Sequence, residues 1–132
     1  MTKRKIDFLE RLNCSINSVI ELYCNDLGQN ELSFLKRMYA NGISNYIDRL
    51  KALKFENYNK VLDVGCGFGQ WSIALSLLNK EVNSIDQSEK RIKILNEIIS
   101  CCDLNNIRTN IIPVEKIPYK SKSFDALLIK FS

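Results

Sequence analysis

Between positions 9 and 53 apolar side chains recur at intervals of three and four, whereas beyond position 57 they gather into short unbroken runs. The first part reads as helix. Leu9, Leu12, Ile16, Val19, Ile20 and Tyr23 fall on one stripe of an amphipathic helix, and Asn25-Asp26-Leu27-Gly28 reads as its stop. A second stripe runs through Leu32, Leu35, Tyr39, Ile43, Tyr46, Leu50 and Leu53, with Asn30 as its N-cap. Gly42 inside that stripe weakens a helix by about 1 kcal/mol relative to alanine and marks a bend or a close packing contact. Residues 1–55 are therefore expected to form a cap of two N-terminal helices. They are either a packing layer on the domain behind them or a lid or acceptor-binding surface.

From Asn57 the pattern alternates. Lys60 to Val64 is a short apolar run ending in glycines, Gln70 to Leu78 has helical spacing, and Val82 to Ile85 is a second strand. Ser88 is placed to cap a helix whose buried face is Ile92, Leu95, Ile98 and Ile99. A third strand is expected near 110–112, after the turn-rich Asp103 to Asn106, and a fourth at Ala126-Leu127-Leu128-Ile129, after a loop carrying Pro113 and Pro118. Strands that are apolar at nearly every position, alternating with helices, point to an α/β fold: a parallel sheet buried on both faces by helices.

Composition sharpens this reading by exclusion. A chain of 132 residues, 45% hydrophobic and 26% charged, has the make-up of one globular domain with one modest core. The formal charge of +4 is spread along the sequence, with Lys3-Arg4-Lys5 its longest basic block, so a nucleic-acid partner is not expected. No apolar run approaches the roughly 18 residues of a membrane span, and there is no signal-peptide core, which makes the cytoplasm the expected compartment. The five cysteines form no C-x-x-C pair and the chain has no histidine. No metal site is expected, and Ser-His or Cys-His nucleophiles are excluded. The cysteines are expected as buried, reduced thiols, with Cys101-Cys102 at a helix end as the alternative, a redox pair.

Candidate chemistry sits after the first strand. Asp63-Val64-Gly65-Cys66-Gly67-Phe68-Gly69 puts three glycines where a strand gives way to a helix, so the backbone turns tightly and a ligand approaches main-chain N–H groups without meeting Cβ atoms. Asp86 closes the second strand, 21 positions beyond Gly65, where a carboxylate accepts both hydroxyls of a ribose held over the glycines. The third glycine of a dinucleotide fingerprint would fall at position 70, which is Gln70, and an acidic Asp63 suits a cationic ligand better than a pyrophosphate. A nicotinamide cofactor is therefore disfavoured.

The run Val61 to Gly69 resembles motif I of class I S-adenosylmethionine (SAM)-dependent methyltransferases. Asp86 resembles their second motif, and Ser123 to Ile129 the start of their fourth strand. This resemblance spans about residues 57–132 and implies a Rossmann-like SAM-binding half-domain over 56–132. It implies that Asp63 orients the methionine ammonium, directly or through water, that Gly65 and Gly67 lie along methionine and ribose, and that Asp86 takes the ribose hydroxyls. Cys66 and Gly69 complete the glycine-rich segment of the cofactor site, and Gln87 borders the adenine. Where many relatives carry an acidic residue for the adenine amino group, this chain has Pro113; backbone groups around Val114, or Glu115, are expected in its place. Ile117-Pro118-Tyr119 matches the family's hydrophobic-Pro-aromatic turn.

The family's sheet has seven strands in the order 3-2-1-4-5-7-6, so a chain ending at Ser132 is expected to lack three strands and to expose the edge of the fourth. Self-association, or a second polypeptide completing the sheet, is the expected consequence. The implied reaction is an in-line displacement at the sulfonium methyl, with a small molecule as the expected acceptor. No catalytic base is assigned, although Lys130, Tyr119 and Glu115 lie within reach. A non-catalytic SAM-binding or interaction module is the alternative reading.

Overall fold

The computed structural model describes residues 2–117 and 123–130. Thr2 opens helix α1 (Lys3–Leu22), its hydroxyl accepting the Lys5 N–H at 3.2 Å and so satisfying one donor orphaned at a helix start. The stripe Leu9, Leu12, Ile16, Val19 and Ile20 is the buried face of α1. The single helix expected next is two, α2 (Gln29–Tyr39) and α3 (Ser44–Ala52). Between them Gly42 takes φ +77°, and a Cβ there would lie 2.8 Å from Asn13 Nδ2 on α1. Asn13 Oδ1 also accepts the Ile43 N–H at 3.1 Å. The break is thus fixed by a left-handed glycine pressed against α1, while Ile43, Ile47 and Leu50 carry the stripe across it into the core. Gly28, not Asn30, is the N-cap of α2, and Leu53, the C-cap of α3, is 66% exposed.

Strands β1 (Val61–Val64), β2 (Val82–Asp86), β3 (Ile107–Ile111) and β4 (Ala126–Ile129) form one parallel sheet in the order β3-β2-β1-β4, as expected. β1 lies in the interior and all four of its residues are buried. β3 starts three residues earlier than expected. It is an edge strand, and exposed Arg108 and Asn110 interrupt the apolar run that would have revealed it.

Helices α4 (Gln70–Leu78) and α5 (Glu89–Cys101) cover one face of the sheet, α1 packs outside α5, and α3 packs outside α4. Ser88 caps α5 as expected, its hydroxyl accepting the Arg91 N–H at 3.3 Å. Buried residues from Leu9 on α1 to Ile107 on β3 make one continuous core. On the opposite face, among the described residues, Leu62, Val64 and Ile85 are covered by Ile112, Ile117 and Phe124. All five thiols are free, but Cys66 alone is buried; Cys14 lies off the buried stripe of α1, Cys101 ends α5, and both are exposed. Among the described residues no helix is long and apolar enough to cross a membrane.

Candidate functional site

A cleft of about 380 Å³ opens where β1, β2 and β4 end. This is the carboxyl end of the strands, the side on which an open parallel sheet offers a ligand a crevice. Its floor is the turn after β1. The Gly65 and Cys66 N–H groups donate to Ile85 O at 2.9 and 3.0 Å, tying that turn to β2. Gly67, at φ +56°, has only Arg91 Nη1 near the place of a Cβ, at 3.7 Å, so this backbone faces open space.

Asp86 closes the cleft on the β2 side. One carboxylate oxygen accepts the Gly67 N–H at 2.8 Å and the other the Ser88 N–H at 2.8 Å. The backbone thereby fixes the carboxylate plane, and each oxygen keeps a further lone pair for a ligand donor. Gln87 lines the cleft beside it. Of the residues singled out from the sequence, Gly65, Cys66, Gly67, Asp86 and Gln87 are brought together here.

Three others are placed elsewhere. Asp63 is fully buried beneath the turn. Its Oδ2 accepts from Ser72 Oγ at 2.5 Å, Ser72 Oγ accepts from Ser84 Oγ at 2.6 Å, and its Oδ1 is held by the Lys130 ammonium. A carboxylate on the interior strand β1 meets α4, not solvent, and both of its oxygens have partners within the protein. Gly69, at φ +87°, is the N-cap of α4, and a Cβ there would lie 2.1 Å from Leu95 Cδ1; its glycine serves the contact between α4 and α5. The Val114 side chain lies outside the described residues, and Glu115, in the same 3₁₀ turn, Val114–Lys116, is exposed and does not line the cleft. Ile112 and Ile117, on either side of that turn, line it instead, with Ile85. Pro118, Tyr119, Phe131 and Ser132 lie outside the described residues.

Sequence reasoning missed the roof. Phe34 of α2, Trp71 of α4 and Arg91 of α5 all line the cleft. The Arg91 guanidinium sits 5.2 Å from the ring centres of both Phe34 and Phe68 and grips Glu31 of α2 with two bonds, at 2.7 and 3.3 Å. That grip raises the Arg91 pKa and lowers that of Glu31. Tyr39, at the end of α2, donates its buried hydroxyl to Phe68 O at 2.6 Å, and burial pushes its pKa well above the usual 10. The N-terminal helices therefore both support the glycine turn and form part of the cleft wall. These residues are far apart in sequence, Phe34 and Glu31 on α2, Trp71 on α4 and Arg91 on α5, so no local spacing distinguishes them from ordinary surface and core.

The electrostatics are mostly self-cancelling. Arg91 is matched by Glu31 and Lys130 by Asp63, while Asp86, held by two backbone N–H groups, also lies within the field of Arg91. Burial pulls the Lys130 ammonium down to about 7, and contact with the Asp63 carboxylate opposes that shift. Burial also raises the Cys66 thiol far above its usual value, so it lines the cleft as a neutral apolar group and not as a nucleophile.

Residues 27–130 match the family model described as tellurite resistance protein TehB. The chain belongs to this TehB family. Over 89 residues it is 36% identical to a probable S-adenosyl-L-methionine-dependent methyltransferase TehB of Haemophilus influenzae, covering 67% of this chain and 29% of that protein. It is 40% identical over 68 residues to a ribosomal RNA small subunit methyltransferase G of Clostridium tetani, covering 48% of this chain and 28% of the relative. This TehB-family chain thus spans less than a third of the length of either relative. Among solved structures, a SAM-dependent methyltransferase from Aquifex aeolicus superposes with a TM-score of 0.57 at 25% identity, covering 64% of this chain and 46% of that one. The fold is the class I methyltransferase fold, with strands in the order 3-2-1-4.

Proposed function

We propose that the chain binds S-adenosylmethionine in this cleft and acts as the donor-binding part of a methyltransferase. The observation that carries the reading is Asp86: a carboxylate at the end of β2, fixed by two backbone N–H groups and set across from the open, left-handed Gly67. The residues fit the group. The apolar Ile85, Ile112 and Ile117 offer a surface for a flat purine, and Asp86 offers paired acceptors for two vicinal hydroxyls.

The donor supplies an activated methyl group when bound, so the protein's part is placement and exclusion of water. Gly65 and Gly67 would let the ligand lie against the backbone, and Asp86 would fix the ribose. Phe34, Trp71 and Arg91 would close the cleft from above. The names of the matched relatives support an enzyme over a non-catalytic SAM-binding module. For the acceptor we favour a small molecule, because the wall beyond the glycine turn is made of Phe34, Trp71 and Ile129, and the chain carries no long basic block. Retention of ribosomal RNA by the protein in filter binding would turn this choice toward the RNA that the Clostridium relative is named for. The free thiols and the absence of any membrane-crossing helix among the described residues support a place in the cytoplasm. Calorimetric titration with SAM and S-adenosylhomocysteine tests the donor site: micromolar binding of both is expected, and no heat from either, with the fold intact by circular dichroism, would overturn it.

A further inference from the structure

Gln70 is the first residue of α4, lines the cleft and is only 7% exposed. Its amide nitrogen donates to the Met38 thioether at 3.2 Å. A thioether sulfur accepts and never donates, so the amide nitrogen is the atom turned to Met38 and Oε1 is left without a partner. That oxygen is the one buried side-chain polar atom without a hydrogen-bond partner among the described residues. An orphaned buried acceptor is destabilising, and an apolar side chain of the same size would remove the cost. The usual acceptor for a cation at this end of the cleft is meanwhile occupied, since both oxygens of Asp63 are held, by Ser72 and by Lys130.

Resting on the donor-site reading above, we propose that Gln70 Oε1 receives the α-ammonium of the cofactor's amino-acid tail, in the place that family resemblance gives to Asp63. The tail runs from the sulfur toward the start of α4, while Asp86 holds the ribose at the other side of Gly67. Rotation about the terminal torsion of a glutamine is soft, so the amide gives up its one bond to the Met38 thioether and turns its buried oxygen to the ligand without disturbing the helix. The contact is a charge-assisted hydrogen bond made only when the ligand is present. Gln70 is then a specificity residue that separates ligands with an α-amino group from those without one.

The test compares S-adenosylhomocysteine with its des-amino analogue by calorimetry. The wild type is expected to prefer the amino form about tenfold. Gln70→Leu is expected to lose that preference while binding the des-amino analogue as the wild type does, and its unliganded melting temperature should not fall. A tenfold preference retained by Gln70→Leu would overturn the proposal. Gln70→Glu, which sets a full carboxylate against the ammonium, should widen the preference, and an unchanged ratio there would overturn it even if the leucine variant failed to fold. Binding of neither ligand by the wild type would instead sink the donor-site reading; binding of both with equal affinity would sink the Gln70 assignment alone.

Discussion

Asp86 does two jobs with one carboxylate. Its oxygens hold the Gly67 and Ser88 N–H groups, and the lone pairs left over are the paired acceptor proposed for a ribose. Asp86→Ala should therefore weaken SAM binding tenfold or more, in line with the roughly 1.5–3 kcal/mol carried by hydrogen bonds to a charged group, and it should also loosen the turn. Asp86→Asn separates the two effects, because one amide oxygen still accepts from the backbone; calorimetry together with melting would show affinity falling further than stability. Equal SAM affinity in Asp86→Ala would remove the residue from the site. The cysteines give a second residue-scale expectation. Cys14 and Cys101 are exposed, whereas Cys66 is buried with its thiol pKa pushed up, so a thiol reagent at pH 8 should label the first two in the native protein and reach Cys66 only after denaturation. Rapid native labelling of Cys66, located by peptide mass mapping, would contradict the packing described here.

The glycine turn shows what an element demands of its residues. Gly67 and Gly69 share a left-handed backbone, but only Gly69 has a neighbour within clashing distance, Leu95 on α5. Gly69→Ala should cost the strain of the left-handed conformation plus that of overpacking, together about 2–4 kcal/mol, seen as a clear drop in melting temperature. Gly67→Ala should keep most of the stability, bearing about 1–2 kcal/mol of backbone strain, yet impair ligand binding. Parallel order, the capped α5 and the buried stripe of α1 were legible in the sequence because periodicity and capping are local signals. The division of α2 from α3 was not, since the stripe runs unbroken through Ile43 and only the approach of Asn13 gives Gly42 its left-handed turn. The site divides in the same way. Gly65, Gly67 and Asp86 announce themselves by spacing, while Arg91 and Phe34 belong to the cleft only because α2 folds back over it. The Glu31–Arg91 pair gives that fold-over a pH signature. Its hydrogen bond to Arg91 holds Glu31 below the ordinary 4.5, so its contribution is present above that value and is lost as pH falls through the lower folded pKa. Both side chains are partly exposed, so the effect on global stability is small. Fluorescence of Trp71, the sole tryptophan and a cleft residue, should shift in the wild type as the pH is taken below 4.5. Glu31→Gln, which cannot titrate, should not show that transition.

At the scale of the whole molecule the sheet is finished on one face and thinly covered on the other. α4 and α5, backed by α1 and α3, bury Val61 and Val82, and Ala126 and Leu128 pack against the same core. The opposite face has no helix among the described residues. Leu127 and Ile129 of β4 are 37% and 38% exposed there, in line with Leu62 and Val64 of β1. Among the described residues β4 is also an edge of the four-stranded sheet. Interior strands of parallel sheets are apolar because they are covered on both faces, and an apolar edge with unpaired N–H and C=O groups is a template for strand addition. A β4 that carries an interior-type sequence at an edge position should draw in another strand, and at high concentration the available strand is the β4 of a second copy. The 132-residue chain is thus expected to self-associate at tens of micromolar in light scattering. Leu127→Lys, which places a charge on the uncovered face beside that edge, should shift the population toward monomer without changing the circular dichroism spectrum, because Leu127 is partly exposed already. A wild-type chain that stays monomeric at those concentrations would show that the loops carrying Ile112, Ile117 and Phe124 protect this face well enough alone.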